Sequence, residues 1–167
     1  MPTLAVSAVG LDRPGIIAGV AERLAAHGAN LTDSRMAILR GHFAITLIVE
    51  GAERDALAAD LETMDALETW AVAEVAEAGV SPRSEPNAVV SVHGADHPGI
   101  VAAVTRVLAD ADVNVCDLRT HLVDELYVML MDVNAPPAAG DLDGRLQAVA
   151  AEQDVTITLR PLDPDVL

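Results

Sequence analysis

The segment Gly10-Leu11-Asp12-Arg13-Pro14-Gly15-Ile16-Ile17 returns 84 residues later as Gly94-Ala95-Asp96-His97-Pro98-Gly99-Ile100-Val101. With that offset held and no gap, Asn30 falls on Asn114, Asp33 on Asp117 and Arg35 on Arg119. From Gly10 to Arg35, 12 of 26 positions are identical to their partners. A repeat of this kind marks two copies of one module and governs every later inference about the fold. It divides the 167 residues into a first module at 1–79, a linker at 80–87 and a second module at 88–167. A domain of that size buries only about 60% of its unfolded surface and is marginal alone. The halves are therefore expected to pack together or to pair with another chain.

Within each copy the apolar pattern alternates between strand and helix periods. Thr3 to Val9 is a β-like run ending at Gly10, and Pro14 suits the first turn of a helix. That helix carries Ile16, Ile17, Val20 and Leu24 at helical spacing and stops at Gly28. Leu31 to Leu39 and Phe43 to Val49 read as a hairpin around Gly41. Glu53 to Leu67 reads as a second helix and Trp70 to Ala76 as a fourth strand. The second copy repeats the order with a strand at Ala88–Val92, a helix at Pro98–Ala111 and strands at Asn114–Leu122 and Leu126–Val133. A helix at Ala138–Glu152 and a strand at Val155–Leu159 complete it, and Pro161 and Pro164 end regular structure. Strand-helix-strand-strand-helix-strand, twice, is the ferredoxin-like order. The expected class is α+β: two four-stranded antiparallel sheets, each with both helices on one face. Ile48, Val128 and Leu130 point away from the core series, so part of the other face should be covered.

Composition narrows the chemistry. The chain is 51% hydrophobic but 2% aromatic, so Ala, Val, Leu and Ile must build the cores. It carries a net charge of −16, ten Arg and no Lys. Direct nucleic-acid binding is not expected, because it needs clustered cations. The missing Lys also excludes a Walker-type phosphate loop and a Schiff-base lysine. A single cysteine, Cys116, allows no internal disulfide and fits a reducing compartment. The N-terminus lacks a basic segment followed by an apolar run, which argues against a signal peptide; no apolar run reaches about 18 residues, and a cytoplasmic protein is expected.

Several apparent constellations dissolve on inspection. The carboxylates of Asp55, Asp60, Glu62 and Asp65 read as a solvated helix face. His93 and His97 align with Val9 and Arg13, which are not metal ligands, so no metal is expected. Asp110-Ala111-Asp112 sits at a helix end and aligns with Ala26-His27-Gly28. Asp33, Ser34 and His42 lack the strained turn that exposes a nucleophile, and Cys116 reads as a packed side chain. No catalytic residue and no cofactor are predicted.

The repeated Gly-x-Asp-x-Pro-Gly segment supports a different chemistry. The first backbone N–H groups of a helix lack internal partners and attract an anion, and Gly15 and Gly99 let a ligand approach them. Asp12 and Asp96 attract an ammonium group instead. The two preferences together suit a zwitterion. Asn30 and Asn114 open the next strand, which is expected to bring their amides near the same loop as donor and acceptor. The same residues also have roles without a ligand: Asp caps helices and Asn ends them.

G-x-D-[RH]-P-G-I-[IV], followed by Asn at the start of the second strand, resembles the ACT domain, a small regulatory module of amino-acid metabolism. The tandem layout, from Thr3 to about Arg160, is similar to that of the glycine cleavage system transcriptional repressor family. The resemblance implies ligand-binding residues Asp12, Gly15, Ile16 and Asn30 in the first copy. In the second it implies Asp96, Gly99, Ile100 and Asn114, with an amino acid bound where the loop of one module meets a neighbouring module. Side-chain contacts would come from the Asp and Asn residues and backbone contacts from the others. It further implies a homodimer and a partner protein, a transcription factor or metabolic enzyme; a detached regulatory subunit of a biosynthetic enzyme is the alternative. Where some amino-acid-binding members carry a His two residues before the Asp, this chain has Gly10 and Gly94. Arg13 opposite His97 makes the two loops chemically unequal.

Overall fold

The computed structural model describes residues 2–76 and 85–162. The chain separates into two compact units, Met1–Gly79 and Val80–Leu167, each with its own sheet and core. Of the expected linker, residues 80–84 lie outside the described residues, as does Pro164, and 85–87 form no regular element. The first unit runs β1 (Thr3–Leu11), α1 (Ile16–Ala26), β2 (Asn30–Leu39), β3 (His42–Glu50), α2 (Arg54–Glu62) and β4 (Thr69–Val75). The second runs β5 (Ala88–Ala95), α3 (Ile100–Ala109), β6 (Asn114–Val123), β7 (Leu126–Asn134), α4 (Leu142–Glu152) and β8 (Val155–Pro161). The sheets are ordered β2-β3-β1-β4 and β6-β7-β5-β8, with every neighbouring pair antiparallel. This is the ferredoxin-like arrangement expected from the element order.

Alternation decides which side is core. Leu4, Val6 and Ala8 of β1 and Phe43, Ile45, Leu47 and Val49 of β3 share one face of the sheet. They bury against Val20 and Leu24 of α1 and Leu57 and Leu61 of α2, so both helices cover that face. The second core repeats the plan with Val90, Val92, Val104, Leu108 and Leu146. Aliphatic residues do most of the filling, as composition demanded, but Met64, Met129, Met131 and Phe43 join them. On the opposite face Ile48 and Val128 are half-buried, whereas Leu130 stays exposed.

The element ends depart from the sequence pattern where local chemistry intervenes. Helix α2 stops at Glu62 rather than Leu67. The Thr63 hydroxyl donates to the Asp60 carbonyl at 2.7 Å, and Arg23 reaches the same carbonyl from α1, so an acceptor needed to continue the helix is engaged elsewhere. Met64 and Leu67 keep their buried positions from a series of turns. Helix α4 starts at Leu142 rather than Ala138, because Asp141 accepts from the Gly144 N–H and sets the cap there. Pro161 extends β8 by pairing with Ala88, which an edge strand permits.

Helices α1 and α3 close alike. Ala29 N–H donates to Leu24 O and Gly28 N–H to Ala25 O; Val113 donates to Leu108 O and Asp112 to Ala109 O. Each pair is a Schellman closure around a left-handed residue, Gly28 at φ 69° and Asp112 at φ 54°.

Candidate functional site

The loop from β1 to α1 begins where the Asp12 N–H donates to the Gly41 carbonyl at 2.9 Å, fixing it beside the β2–β3 turn. Pro14 does not open the helix as its residue type suggested. Gly15 follows it at φ 91° as the N-cap, and Gly99 takes φ 107° in the second copy. A left-handed residue cannot sit inside an α-helix, so both helices start one residue past the glycine. No side chain caps either helix. The Ile16 N–H meets only the Arg13 carbonyl, at 3.4 Å. Asp12 and Asp96 are exposed and make no side-chain hydrogen bond or ion pair among the described residues. The capping role open to them from sequence is therefore not the one they play. Ile16 and Ile100 are buried, which leaves only their backbone to face a ligand.

The asparagines do not join these loops. Asn30 lies opposite Glu50, and Glu50 lies opposite Thr3, the first residue of β1. Asp12 follows Leu11, the last residue of β1, at the other end of the sheet. At about 3.3 Å per residue the separation along the sheet is roughly 26 Å. Asn114, opposite Asn134, occupies the same place in the second sheet. Helix α1 carries the chain back before β2 begins, so a strand that runs parallel to β1 starts where β1 starts. The expectation that each amide approaches its own loop is corrected. Nor do the asparagines end the helices, since the Schellman closures already do so.

Asp33 and Ser34 are consecutive on β2 and so turn to opposite faces, and His42 pairs with Leu39 at the far end of the strand; no triad forms. Among the described residues no group of three or more His, Cys, Asp or Glu is gathered as a metal site would require.

Ile17, placed with the core by its spacing, is 48% exposed. It opens an apolar groove of about 250 Å³ between α1 and β2, continued by Val20, Leu31, Met36 and Leu47, with Ser34 as its polar member. Helix α1 packs over the centre of the sheet and leaves the inner side of β2 uncovered. Every residue of β2 is exposed.

Gly10 explains the missing histidine of the first copy. A Cβ there would lie 2.1 Å from the Ala66 carbonyl oxygen, in the turn before β4. At Gly94 a Cβ would lie 2.8 Å from Val155 Cγ1. Backbone excludes a side chain at Gly10, and Val155 opposes one at Gly94.

His97 is the site residue least visible in the sequence. Its Nε2 lies 2.7 Å from the Gln153 carbonyl oxygen and its Nδ1 3.2 Å from the Pro98 carbonyl oxygen. The Gln153 carbonyl raises its pKa most and the Pro98 carbonyl adds to this; burial opposes both, and Asp96 and Asp154 contribute smaller upward shifts. Burial also raises Tyr127, with a lesser contribution from the charge of Asp96.

Fold and loop together define a tandem ferredoxin-like protein with two uncapped, glycine-started helices, each beside an exposed carboxylate. The chain belongs to the ACT domain family, whose profile matches residues 2–71 and 87–160. A UPF0237 protein of Methanococcus maripaludis is 36% identical over 77 residues, which cover 44% of this chain and 86% of that one. Among solved structures, one described only as an unknown protein from Galdieria sulphuraria superposes with a TM-score of 0.76 at 30% identity. The match covers 97% of this chain and 99% of that one. Another, provisionally described as a glycine cleavage system transcriptional repressor, gives a TM-score of 0.69 at 18% identity over 97% and 98% of the two chains; it shares the fold.

Proposed function

We propose that the chain is a non-enzymatic sensor of a small amino acid that signals to a partner protein. One observation carries the reading: an uncapped, left-handed-glycine helix start beside an exposed carboxylate that makes no side-chain hydrogen bond or ion pair among the described residues, built twice. Helix-start N–H groups suit the ligand carboxylate and Asp12 or Asp96 its ammonium group. An amino acid cannot bridge roughly 26 Å, so Asn30 or Asn114 serves a ligand held by the loop of a different module. The ligand then binds only where two modules meet, within the chain or across a homodimer. It shifts the population toward the arrangement that it completes. A transcription factor or metabolic enzyme reads that arrangement, and the protein described as a repressor motivates testing the transcription factor first. The −16 charge disfavours direct contact with nucleic acid.

Thermal-shift measurements against the twenty amino acids, with calorimetry on any hit, test the proposal. A ligand at 100 times its Kd adds about 2.7 kcal/mol to the folded state. The shift should vanish in the double variant Asp12→Ala with Asp96→Ala and weaken in Asn30→Ala. A flat screen on folded protein overturns the reading. Affinity capture distinguishes a transcription factor from a catalytic subunit as the partner.

A further inference from the structure

His97 faces two carbonyl oxygens, one from each ring nitrogen. A carbonyl only accepts, and a neutral imidazole has one N–H to donate. Both contacts are hydrogen bonds only when the ring carries both protons. The stronger contact ends on Gln153, the C-cap of α4, where the carbonyl end of the helix dipole favours a cation. The two segments also touch beyond the ring. A Cβ at Gly99 would lie 3.6 Å from Gln153 Oε1, and one at Gly94 would meet Val155. The charged groups around the ring are Asp96 on its own loop and Asp154 in the turn after α4, and both favour the imidazolium. In the first copy Arg13 holds the aligned position, exposed and without a side-chain partner among the described residues.

We propose that His97 is a positioning residue that works as a proton-dependent latch. As the imidazolium it fastens the loop carrying Asp96 and Gly99 to the end of α4; on losing a proton it keeps a single N–H, so only one of the two bonds survives and the hold on that loop weakens. The first module has no such latch. If the amino-acid reading above holds, the second site weakens as pH rises while the first does not.

The sign follows from linkage. The closed latch holds its proton above the ordinary histidine value of about 6.5, so the stability that the proton adds to the closed state is fully present below that value. It is lost as pH rises through the raised value of the closed state, by up to about tenfold per pH unit within the window between them. In the full chain without ligand, ring ¹⁵N resonances should show both His97 nitrogens protonated at pH 6.5, with titration above the ordinary value. Hydrogen exchange of the amides at 96–100, corrected for intrinsic rate, should show opening that rises with pH across the same window. His97→Gln should remove the pH step.

Titration of His97 at or below 6.5, or a pH step that survives in His97→Gln, overturns the latch. The wild-type ring titration decides the question alone should that variant fail to fold. A latch that titrates as stated in a protein that binds no amino acid would refute the sensor reading and leave the latch standing.

Discussion

Gly10→Ala places a methyl group against backbone rather than against a yielding side chain. The new Cβ would lie 2.1 Å from the Ala66 carbonyl oxygen and 3.3 Å from Leu67 Cα. Relief requires more than about 1 Å of movement to reach ordinary contact distance. The strand cannot move freely, because Gly10 pairs with Phe43, and the turn cannot move freely, because Glu68 N–H donates to Val9 O at 2.8 Å and Leu67 N–H to Met64 O at 3.0 Å. Overpacking of this kind costs about 1–3 kcal/mol, set against a gain of about 0.4–1 kcal/mol from stiffening the unfolded chain. The net expectation is a loss of about 1–2 kcal/mol, or roughly 4–16 °C in Tm for a unit of this size. Trp70 is the only tryptophan and lies on β4 of the first unit, so its fluorescence in urea follows that unit separately from the second. Gly15→Ala is the control: nothing lies within 4 Å of its Cβ, and only the φ of 91° opposes it, at about 1 kcal/mol. A Gly10→Ala midpoint within experimental error of wild type would refute the steric account of the missing histidine.

Asp112→Gly should stabilise the second unit by up to about 1 kcal/mol, since Asp112 closes α3 at φ 54° where Gly28 closes α1; calorimetry on the full chain should show the second transition rise. Phe43→Ala should cost the first unit about 3–5 kcal/mol, because Phe43 is fully buried in a core with no other phenylalanine. That loss is read from the Trp70 urea midpoint. Glu53 accepts from the N–H groups of Asp55 and Ala56 at the start of α2, and the Ala56 bond leads in holding its pKa below 4.5. Its contribution is therefore present above pH 4.5 and is lost as pH falls through the lowered value. Glu53→Gln should flatten that part of the acid limb of the Trp70 stability profile.

The fold was legible because repetition and alternation are properties of the chain itself. Asp12 on Asp96 forced two modules, and Phe43, Ile45, Leu47 and Val49 marked the inner face of β3. What alternation cannot say is how far a helix reaches across a sheet. Ile17 has the spacing of a core residue and lies exposed only because α1 covers β1 and β3 but not β2. Asn30 misled for a related reason: nearness in sequence to the end of α1 became nearness to its start. The loops were legible as places where Gly15 and Gly99 admit close approach beside Asp12 and Asp96, but the left-handed glycine starts were not, because Pro14 and Pro98 suggested earlier ones. His97 was not, because its partners are carbonyls at Pro98 and Gln153, and backbone acceptors leave no mark on the choice of side chains. The cap at Asp141 and the bond from Thr63 to Asp60 moved helix ends in the same local manner.

One irregularity recurs at the same place in both sheets. The pairing slips between Leu31 and Asp33 on β2 and between Val115 and Asp117 on β6, leaving Thr32 and Cys116 as the supernumerary residues of two β-bulges. Side chains in a strand follow an odd–even count, and an extra residue resets that parity for everything before it. The bulge thus decides which face of the sheet Asn30 and Asn114 address, independently of Asp33, Arg35 and the residues beyond. Removing Thr32 would leave a flush ladder of about the same length, but one whose opening residues had exchanged faces.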